Sequence, residues 1–161
     1  MTSTERIICL CSGNICRSPM AVALLRAKLP GRPLEAIVIS GGTLGLQGRR
    51  ADQFARRAIA ELDDSSGEMV ETIEQHRSQA ISPAMLERAD HIIVMAPRHA
   101  RFVAENAPAA RDHVVPLWQY GDDPTLTEIP DPVGMDASVF EGCRDLIDNC
   151  LDNWLDEVCN S

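Results

Sequence analysis

Two residues whose side chains could carry out phosphoryl transfer, Cys11 and Arg17, stand near the start of the chain with five residues between them. The apolar run from Arg6 to Cys11 predicts a buried strand, and Pro19 suits the first turn of a following helix. A short loop between strand and helix can turn its backbone N–H groups inward and bind an anion at the helix N-terminus. A thiolate that faces a bound phosphate can attack its phosphorus. The spacing therefore predicts Cys11 as a nucleophile and Arg17 as a phosphate clamp.

The residues inside this loop suit an anion-binding turn. Gly13 lets the backbone turn tightly, and Asn14 tolerates left-handed dihedral angles while its amide can tie the loop to neighbouring segments. The planar guanidinium of Arg17 can hold two phosphate oxygens at once, and the positive field of the loop favours a thiolate at Cys11. The predicted anion-binding residues of the loop are Ser12, Gly13, Asn14, Ile15, Cys16 and Ser18.

The reaction needs a proton donor for the leaving oxygen and support for the sulfur. The Ser18 hydroxyl is close enough in sequence to donate a hydrogen bond to the sulfur of Cys11, and it is also predicted to cap the following helix. Asp131 stands between two prolines that stiffen its backbone, which suits a general acid. Asp123, before Pro124, offers a second acid of the same kind. From the residues alone, both aspartates remain candidates.

Short apolar runs alternate with helical patterns along the chain, which predicts a parallel sheet covered by helices, with any ligand at the carboxyl ends of the strands. The glycine-rich segment 40–45 is predicted to be a loop, and residues 63–68 form a polar segment. The predicted strands are residues 6–11, 36–39, 91–95 and 113–117, and the predicted helices run from Pro19 to about Pro30, from Ala51 to about Leu62, from Ser82 over a short stretch, from Pro97 to about Asn106, and from Asp136 to Val158.

Length, composition and charge narrow the class of protein. The 161 residues, 45 % of them hydrophobic and 24 % charged, predict one globular domain over residues 1–161. A formal net charge of −9 argues against nucleic-acid and anionic membrane surfaces. Neither a membrane-spanning apolar run nor a basic segment followed by a long apolar run is found, so a cytoplasmic location is predicted.

The six cysteines and four histidines are assigned no metal and no cofactor. Reduced thiols are the prediction for a chain of this size, with Cys9 as a buried thiol and Cys143, Cys150 and Cys159 as small apolar residues of the final helix. No second pair of ligands accompanies the clustered cysteines at zinc-finger spacing. The remaining histidines outside the proposed site are predicted to be strand-end or surface residues: His91, His99 and His113.

The run Cys11 to Pro19, CSGNICRSP, resembles the signature of low-molecular-weight protein tyrosine phosphatases, and later features resemble that family over nearly the whole chain. The segment 40–43 is similar to its second loop, and Asp131-Pro132 resembles its general-acid loop. The resemblance implies a flavodoxin-like fold, a four-stranded parallel sheet flanked by helices. It also implies hydrolysis through a phosphocysteine on Cys11, with Asp131 rather than Asp123 as the acid.

The same resemblance implies supporting roles for three further residues. Ser40 and His76 are expected to join the hydrogen-bond network around Asn14, since His76-Arg77 resembles the element that braces the family's phosphate loop. Cys16 is expected to form a reversible disulfide with Cys11 that protects the nucleophile from over-oxidation. The implied partners are a phosphorylated protein and inorganic phosphate or other oxyanions, with the chain a monomer or weak homo-oligomer.

Three positions bear on the substrate. By the resemblance, Leu46 and Val133 take the positions of the pocket mouth where the family usually carries aromatic residues. The run 131–134 resembles the acid loop of bacterial protein arginine phosphatases, whereas Ile15 is the tyrosine-type residue at a position where that branch has threonine. Tyrosine phosphatase is therefore predicted, with arginine phosphatase as the alternative. Arsenate reductase is disfavoured because no cysteine lies between Cys16 and Cys143. A catalytically silent anion-binding domain is a further alternative.

Overall fold

A parallel sheet lies at the centre of the computed structural model, which describes residues 3–63 and 66–161. Residues 64 and 65 of the predicted polar segment lie outside the described residues. In these residues the sheet has four strands in the order β2-β1-β3-β4. The strands are β1 (Glu5–Cys11), β2 (Ala36–Gly42), β3 (His91–Val94) and β4 (Val114–Pro116). The parallel α/β sheet is therefore confirmed.

The strand order places β1 between β2 and β3, so the carboxyl end of β1 is a topological switch point. Side chains of successive strand residues point to opposite faces. Because Ile7 through Cys11 are all buried, both faces of β1 are covered. The chain therefore leaves the centre of the sheet at Cys11, where ligands bind in folds of this type.

Six α-helices surround the sheet in the described residues. One group packs together and contains the first, second, third and last helices, while the fourth and fifth contact each other. The bounds are α1 (Arg17–Lys28), α2 (Gln53–Leu62), α3 (Glu68–Gln75), α4 (Pro83–Glu87), α5 (Pro97–Asn106) and α6 (Ala137–Cys159), with 3₁₀ turns at Pro108–His113 and Leu117–Tyr120. No helix within the described ranges is both long and apolar enough to cross a membrane.

The final helix has the predicted apolar face. Asp136 caps α6 by accepting a hydrogen bond from the backbone N–H of Val139. Residues three and four apart then pack against α1 and α2. The buried side chains include Phe140, Cys143, Ile147, Cys150, Leu151 and Trp154, so two of the three C-terminal cysteines are core residues, while Cys159 is partly exposed.

Two local predictions are wrong, and one helix was missed. The glycine-rich segment is not entirely loop, because β2 continues through Gly42; a Cβ there would lie 2.7 Å from the carbonyl oxygen of Ser12, so a close backbone approach requires glycine. Helix α3 was not predicted, since a single residue of this short helix, Ile73, is fully buried. Ser18 is not the helix cap, a position that Cys16 occupies without a capping side-chain hydrogen bond.

Candidate active site

The phosphate loop, residues 12–16, joins β1 to α1 and is held by hydrogen bonds to backbone carbonyl oxygens of this part of the chain. The carbonyl oxygens of Cys11 and Ser12 accept hydrogen bonds from the N–H groups of Thr43 and Leu44, both at 3.0 Å, and Asp52 donates to Ile15 at 2.8 Å. Across the described part of the chain, the N–H groups of residues 12–16 donate to no protein acceptor. The loop therefore presents a row of free donors, as an anion-binding site requires.

The sulfur of Cys11 lies at the start of this loop, 2.9 Å from the hydroxyl oxygen of Ser18. The amide Nδ2 of Asn14 donates to that same oxygen at 2.7 Å. Because Asn14 supplies a donor to this oxygen, the Ser18 hydroxyl can donate a hydrogen bond to the sulfur. The predicted contact between Ser18 and Cys11 is therefore present, and stabilisation of a thiolate by Ser18 stays a prediction.

Asn14 is fully buried and has a φ of 58°, in the left-handed region that asparagine tolerates better than most residues. Its Nδ2 also donates to Ser40 Oγ at 2.9 Å, and its Oδ1 accepts the backbone N–H of Gln79 at 3.0 Å. His76 Nε2 donates to the Asn14 carbonyl oxygen at 2.6 Å. Ser40 and His76 thus occupy the expected positions, while Gln79 was not predicted.

Replacing Asn14 by alanine is expected to lower the free energy of unfolding by about 2–4 kcal/mol, because three side-chain hydrogen bonds are lost and alanine disfavours a left-handed backbone. Equilibrium unfolding in urea measures the change. Asn149→Ala is a matched control, since Asn149 Nδ2 makes a single exposed hydrogen bond, to Asp122 at 3.1 Å. Equal losses in the two variants would contradict a bracing role for Asn14.

The Arg17 side chain is 1 % exposed and points toward the acid loop, residues 129–133. Its Nη1 donates to the carbonyl oxygen of Ile129 at 2.8 Å, while Nη2 lies 3.4 Å from Asp131 Oδ2. Its Nε is buried and has no hydrogen-bond partner in the described residues. One side of the guanidinium is therefore anchored, and the Nε and Nη2 edge can hold two phosphate oxygens.

The two candidate acids have different surroundings. Asp131 lines the same pocket as Cys11 and Arg17, and its Oδ1 accepts the N–H of Val133 at 3.1 Å. Asp123 is outside that pocket and accepts hydrogen bonds from Thr125, which hold the pKa of its carboxyl below the usual value. The geometry therefore brings Asp131, and not Asp123, to the nucleophile.

The pocket has a volume of about 150 Å³. Buried groups of the phosphate loop form its base, whereas Leu44 and Val133, 67 % and 52 % exposed, stand at its mouth together with Leu46. Leu44 was not predicted. Hollows of about 310 and 260 Å³ beside α3 are larger, but no cysteine lines either of them. The predicted nucleophile, Cys11, therefore identifies the smaller pocket as the candidate active site. The side chains at its mouth are aliphatic.

The neighbouring thiols differ from Cys11 in their surroundings. Burial raises the pKa of Cys9 and of Cys143 to about 12, and it also raises the pKa of Cys16. The Cys143 thiol lies 3.7 Å from the carbonyl oxygen of Pro130, to which it donates. These three groups stay protonated near neutral pH and do not compete as nucleophiles. No group of three or more possible metal ligands is found in the parts of the chain that the structure describes.

His99 is a site residue that sequence reasoning missed. It is fully buried, and its Nε2 lies 2.9 Å from Ser12 Oγ. The prediction of a surface residue is wrong because α5 begins at Pro97, immediately beyond β3, so the first turn of α5 lies against the phosphate loop. That position in the chain was the available signal. His91 contacts Glu5, and His113 bonds the carbonyl oxygen of Ala89, both outside the site.

Comparison with known proteins gives matches over nearly the whole chain. The profile of the family described as low molecular weight phosphotyrosine protein phosphatase matches residues 6–161. A probable low molecular weight protein-tyrosine-phosphatase, EpsP, of Ralstonia nicotianae is 33% identical over 154 residues, 96% of each chain. A protein-arginine-phosphatase of Geobacillus stearothermophilus is 30% identical over 154 residues, 95% of each chain. The tyrosine phosphatase Wzb from Escherichia coli K30, solved in complex with sulphate, superposes with a TM-score of 0.82 at 28% identity, covering 97% of this chain and 99% of that one.

Proposed function

The chain belongs to the low molecular weight phosphotyrosine protein phosphatase family, and from this premise we propose that it hydrolyses phosphotyrosine in proteins through a phosphocysteine on Cys11. One observation carries the proposal. The Cys11 sulfur, the Arg17 guanidinium and the Asp131 carboxylate line a single pocket, at a loop whose N–H groups are free to bind an anion, and the Nε of Arg17 has no other partner in the described residues. These are the parts that phosphoryl transfer to a thiolate requires.

In the first step the Cys11 thiolate attacks phosphorus. A sulfur–phosphorus bond forms as the bond from phosphorus to the tyrosine oxygen breaks, and protonated Asp131 gives its proton to that oxygen. The loop N–H groups and the Nε and Nη2 edge of Arg17 hold the three remaining oxygens as charge shifts. The anchor from Arg17 Nη1 to the Ile129 carbonyl oxygen, at 2.8 Å, fixes the guanidinium in the pocket that Arg17 lines together with the loop.

In the second step water attacks the phosphocysteine. Asp131, now a carboxylate, takes a proton from the water as its oxygen bonds to phosphorus, and the sulfur leaves as a thiolate. The Ser18 hydroxyl, 2.9 Å from the sulfur, stabilises that leaving group. Inorganic phosphate is released, and Asp131 carries the proton needed for the next cycle.

The pocket mouth supports phosphotyrosine as the substrate over phosphoarginine. Ile15 and Leu46 present apolar groups that can pack against a flat ring. A phosphoarginine side chain carries N–H groups, and Ile15 offers them no acceptor, so they would be desolvated without a partner. The second candidate, a protein arginine phosphatase, rests on Val133-Gly134 after the acid and on the 30% identical relative.

A panel of otherwise identical phosphopeptides tests this preference. We expect kcat/KM for phosphotyrosine to exceed that for phosphoarginine by at least about tenfold, because the aliphatic mouth leaves the arginine N–H groups unpaired. Phosphoserine peptides serve as the short-chain control and are expected to be poorer still, since their phosphate does not reach the loop. Faster turnover of phosphoarginine than of phosphotyrosine would make protein arginine phosphatase the favoured function.

Further assignments belong to the same proposal. The chain would act as one phosphatase domain over residues 1–161, cytoplasmic, as a monomer or weak homo-oligomer, with phosphorylated proteins as partners and without a cofactor or nucleic acid. Inorganic phosphate and related oxyanions would bind the loop. Cys16, buried and lining the same pocket as Cys11, would form the protective disulfide.

A further inference from the structure

The hydroxyl of Ser12, the first residue of the phosphate loop, has an unusual pair of neighbours. Ser12 lines the active-site pocket, and its Oγ lies 2.9 Å from His99 Nε2. Arg98 Nε also points at this oxygen, at 3.4 Å. A guanidinium nitrogen carries hydrogen and can only donate. Ser12 Oγ therefore accepts a hydrogen bond from Arg98. Its remaining hydrogen bonds depend on whether His99 Nε2 donates to this oxygen or accepts from it.

The burial of His99 decides that direction. The ring is fully buried, and its Nδ1 has no hydrogen-bond partner in the described residues. Burial, with the nearby charges of Arg17 and Arg98, lowers the pKa of His99 to about 3, so the ring holds one proton at neutral pH. A proton on Nδ1 would leave a buried N–H unpaired, which proteins tolerate less well than an unpaired acceptor. The proton therefore lies on Nε2, which donates to Ser12 Oγ.

With two donors aimed at its oxygen, the Ser12 hydroxyl must direct its own hydrogen away from both, and the pocket that Ser12 lines is the open direction. We propose that Ser12 donates this hydrogen to a phosphoryl oxygen bound in the loop, with His99 as a positioning residue that fixes its direction. The inference rests on the proposed function and adds one side-chain donor to the backbone donors and Arg17.

The serine that begins the loop and the serine that follows it would then have separate tasks. Ser18 accepts a hydrogen bond from Asn14 and donates one to the Cys11 sulfur. Ser12 accepts hydrogen bonds from His99 and Arg98 and donates one to the phosphoryl group. In both cases a fixed neighbour occupies the serine oxygen, so that the hydroxyl does not have to reorient during the reaction.

Calorimetric titration of the full chain with inorganic phosphate tests the proposal through a double-mutant cycle. We expect Ser12→Ala to weaken phosphate binding about tenfold, the value of a hydrogen bond to a charged group. His99→Leu is expected to weaken it about threefold or more, because the Ser12 hydroxyl is no longer directed. Since His99 acts through Ser12, the double variant should bind within about twofold of Ser12→Ala.

A merely structural role for His99 would reduce binding by the same factor with or without the Ser12 hydroxyl, and such additivity would overturn the proposal. So would unchanged binding by Ser12→Ala. If His99→Leu fails to fold, His99→Gln replaces it, since its amide N–H can take the place of Nε2–H, and it should lose less affinity than Ser12→Ala. His113→Leu, an imidazole bonded outside the site, is the control and should bind as the wild type does.

Turnover of 4-nitrophenyl phosphate, measured in parallel, separates this inference from the proposed function. Phosphate binding without turnover in the wild type would refute the phosphatase assignment, while the cycle would still decide the role of Ser12. Absence of phosphate binding by the wild type would overturn both.

Discussion

Replacing Cys11 by serine is expected to abolish hydrolysis of aryl phosphates, with a loss in kcat of at least about 10⁴-fold. The hydroxyl of serine is a much weaker nucleophile than a thiolate, and the loop is built to favour an anion on sulfur through the Ser18 hydroxyl at 2.9 Å. The wild-type activity should be inhibited by vanadate, which occupies the phosphate position. Steady-state assays with 4-nitrophenyl phosphate measure both effects.

The control for this variant is Cys159→Ser. Cys159 is a free, partly exposed thiol at the end of α6, and its loss is expected to leave turnover unchanged. Phosphate binding by Cys11→Ser, followed by calorimetry, should persist because the loop N–H groups and Arg17 remain. Activity that survives in Cys11→Ser would refute covalent catalysis by this residue. Inactivity of the wild type itself would favour a silent anion-binding domain.

Replacing Asp131 by asparagine is expected to slow phosphocysteine formation by about 10²–10³-fold for substrates with poor leaving groups. Asparagine matches the shape of aspartate and can keep the hydrogen bond from the Val133 N–H, at 3.1 Å, but it has no proton to give. Phenyl phosphate, whose leaving oxygen needs that proton, should suffer most. 4-Nitrophenyl phosphate should lose about tenfold or less, because nitrophenolate departs unprotonated.

Burst-phase measurements on both substrates provide the comparison, and Asp123→Asn is the matched control. Asp123 is exposed and bonded to Thr125, outside the pocket, so its replacement should change neither rate. A loss of equal size on the two substrates would mean that Asp131 acts on charge or loop structure and not as the proton donor. A loss of rate in Asp123→Asn, and not in Asp131→Asn, would assign the role of general acid to Asp123.

The phosphate loop was predictable from sequence because its requirements are local. A strand, a tight turn with Gly13 and Asn14, and a helix beginning at Arg17 follow one another without a break, so the cysteine, the arginine and the N–H groups come together through short-range geometry. The alternation of apolar runs with helices likewise fixed a parallel sheet and placed the loop at its carboxyl edge. The resemblance to a known family was needed to choose Asp131 over Asp123.

Features that depend on distant packing were not predictable in the same way. His99 contacts Ser12 across 87 positions of sequence, and although its place at the start of a helix after a strand hints at the site, the contact itself depends on how the helix packs. Gly41 and Gly42 look like loop residues, yet they continue β2 by pairing with the end of β1, and Ile81 and the phosphate loop approach them too closely for a side chain. In each case the cause is a contact that exists only once the chain is folded.

The anchoring of Ile129 has a consequence for how this enzyme class can diversify. The residue is held at both backbone groups, its N–H by Met95 at 2.7 Å and its carbonyl oxygen by Arg17 at 2.8 Å. A few positions later the side chains of Val133 and Met135 are 52% and 55% exposed. Exchange of these exposed residues can therefore change the selectivity for substrates. The backbone anchor at Ile129, two residues before Asp131, keeps the acid loop in place meanwhile.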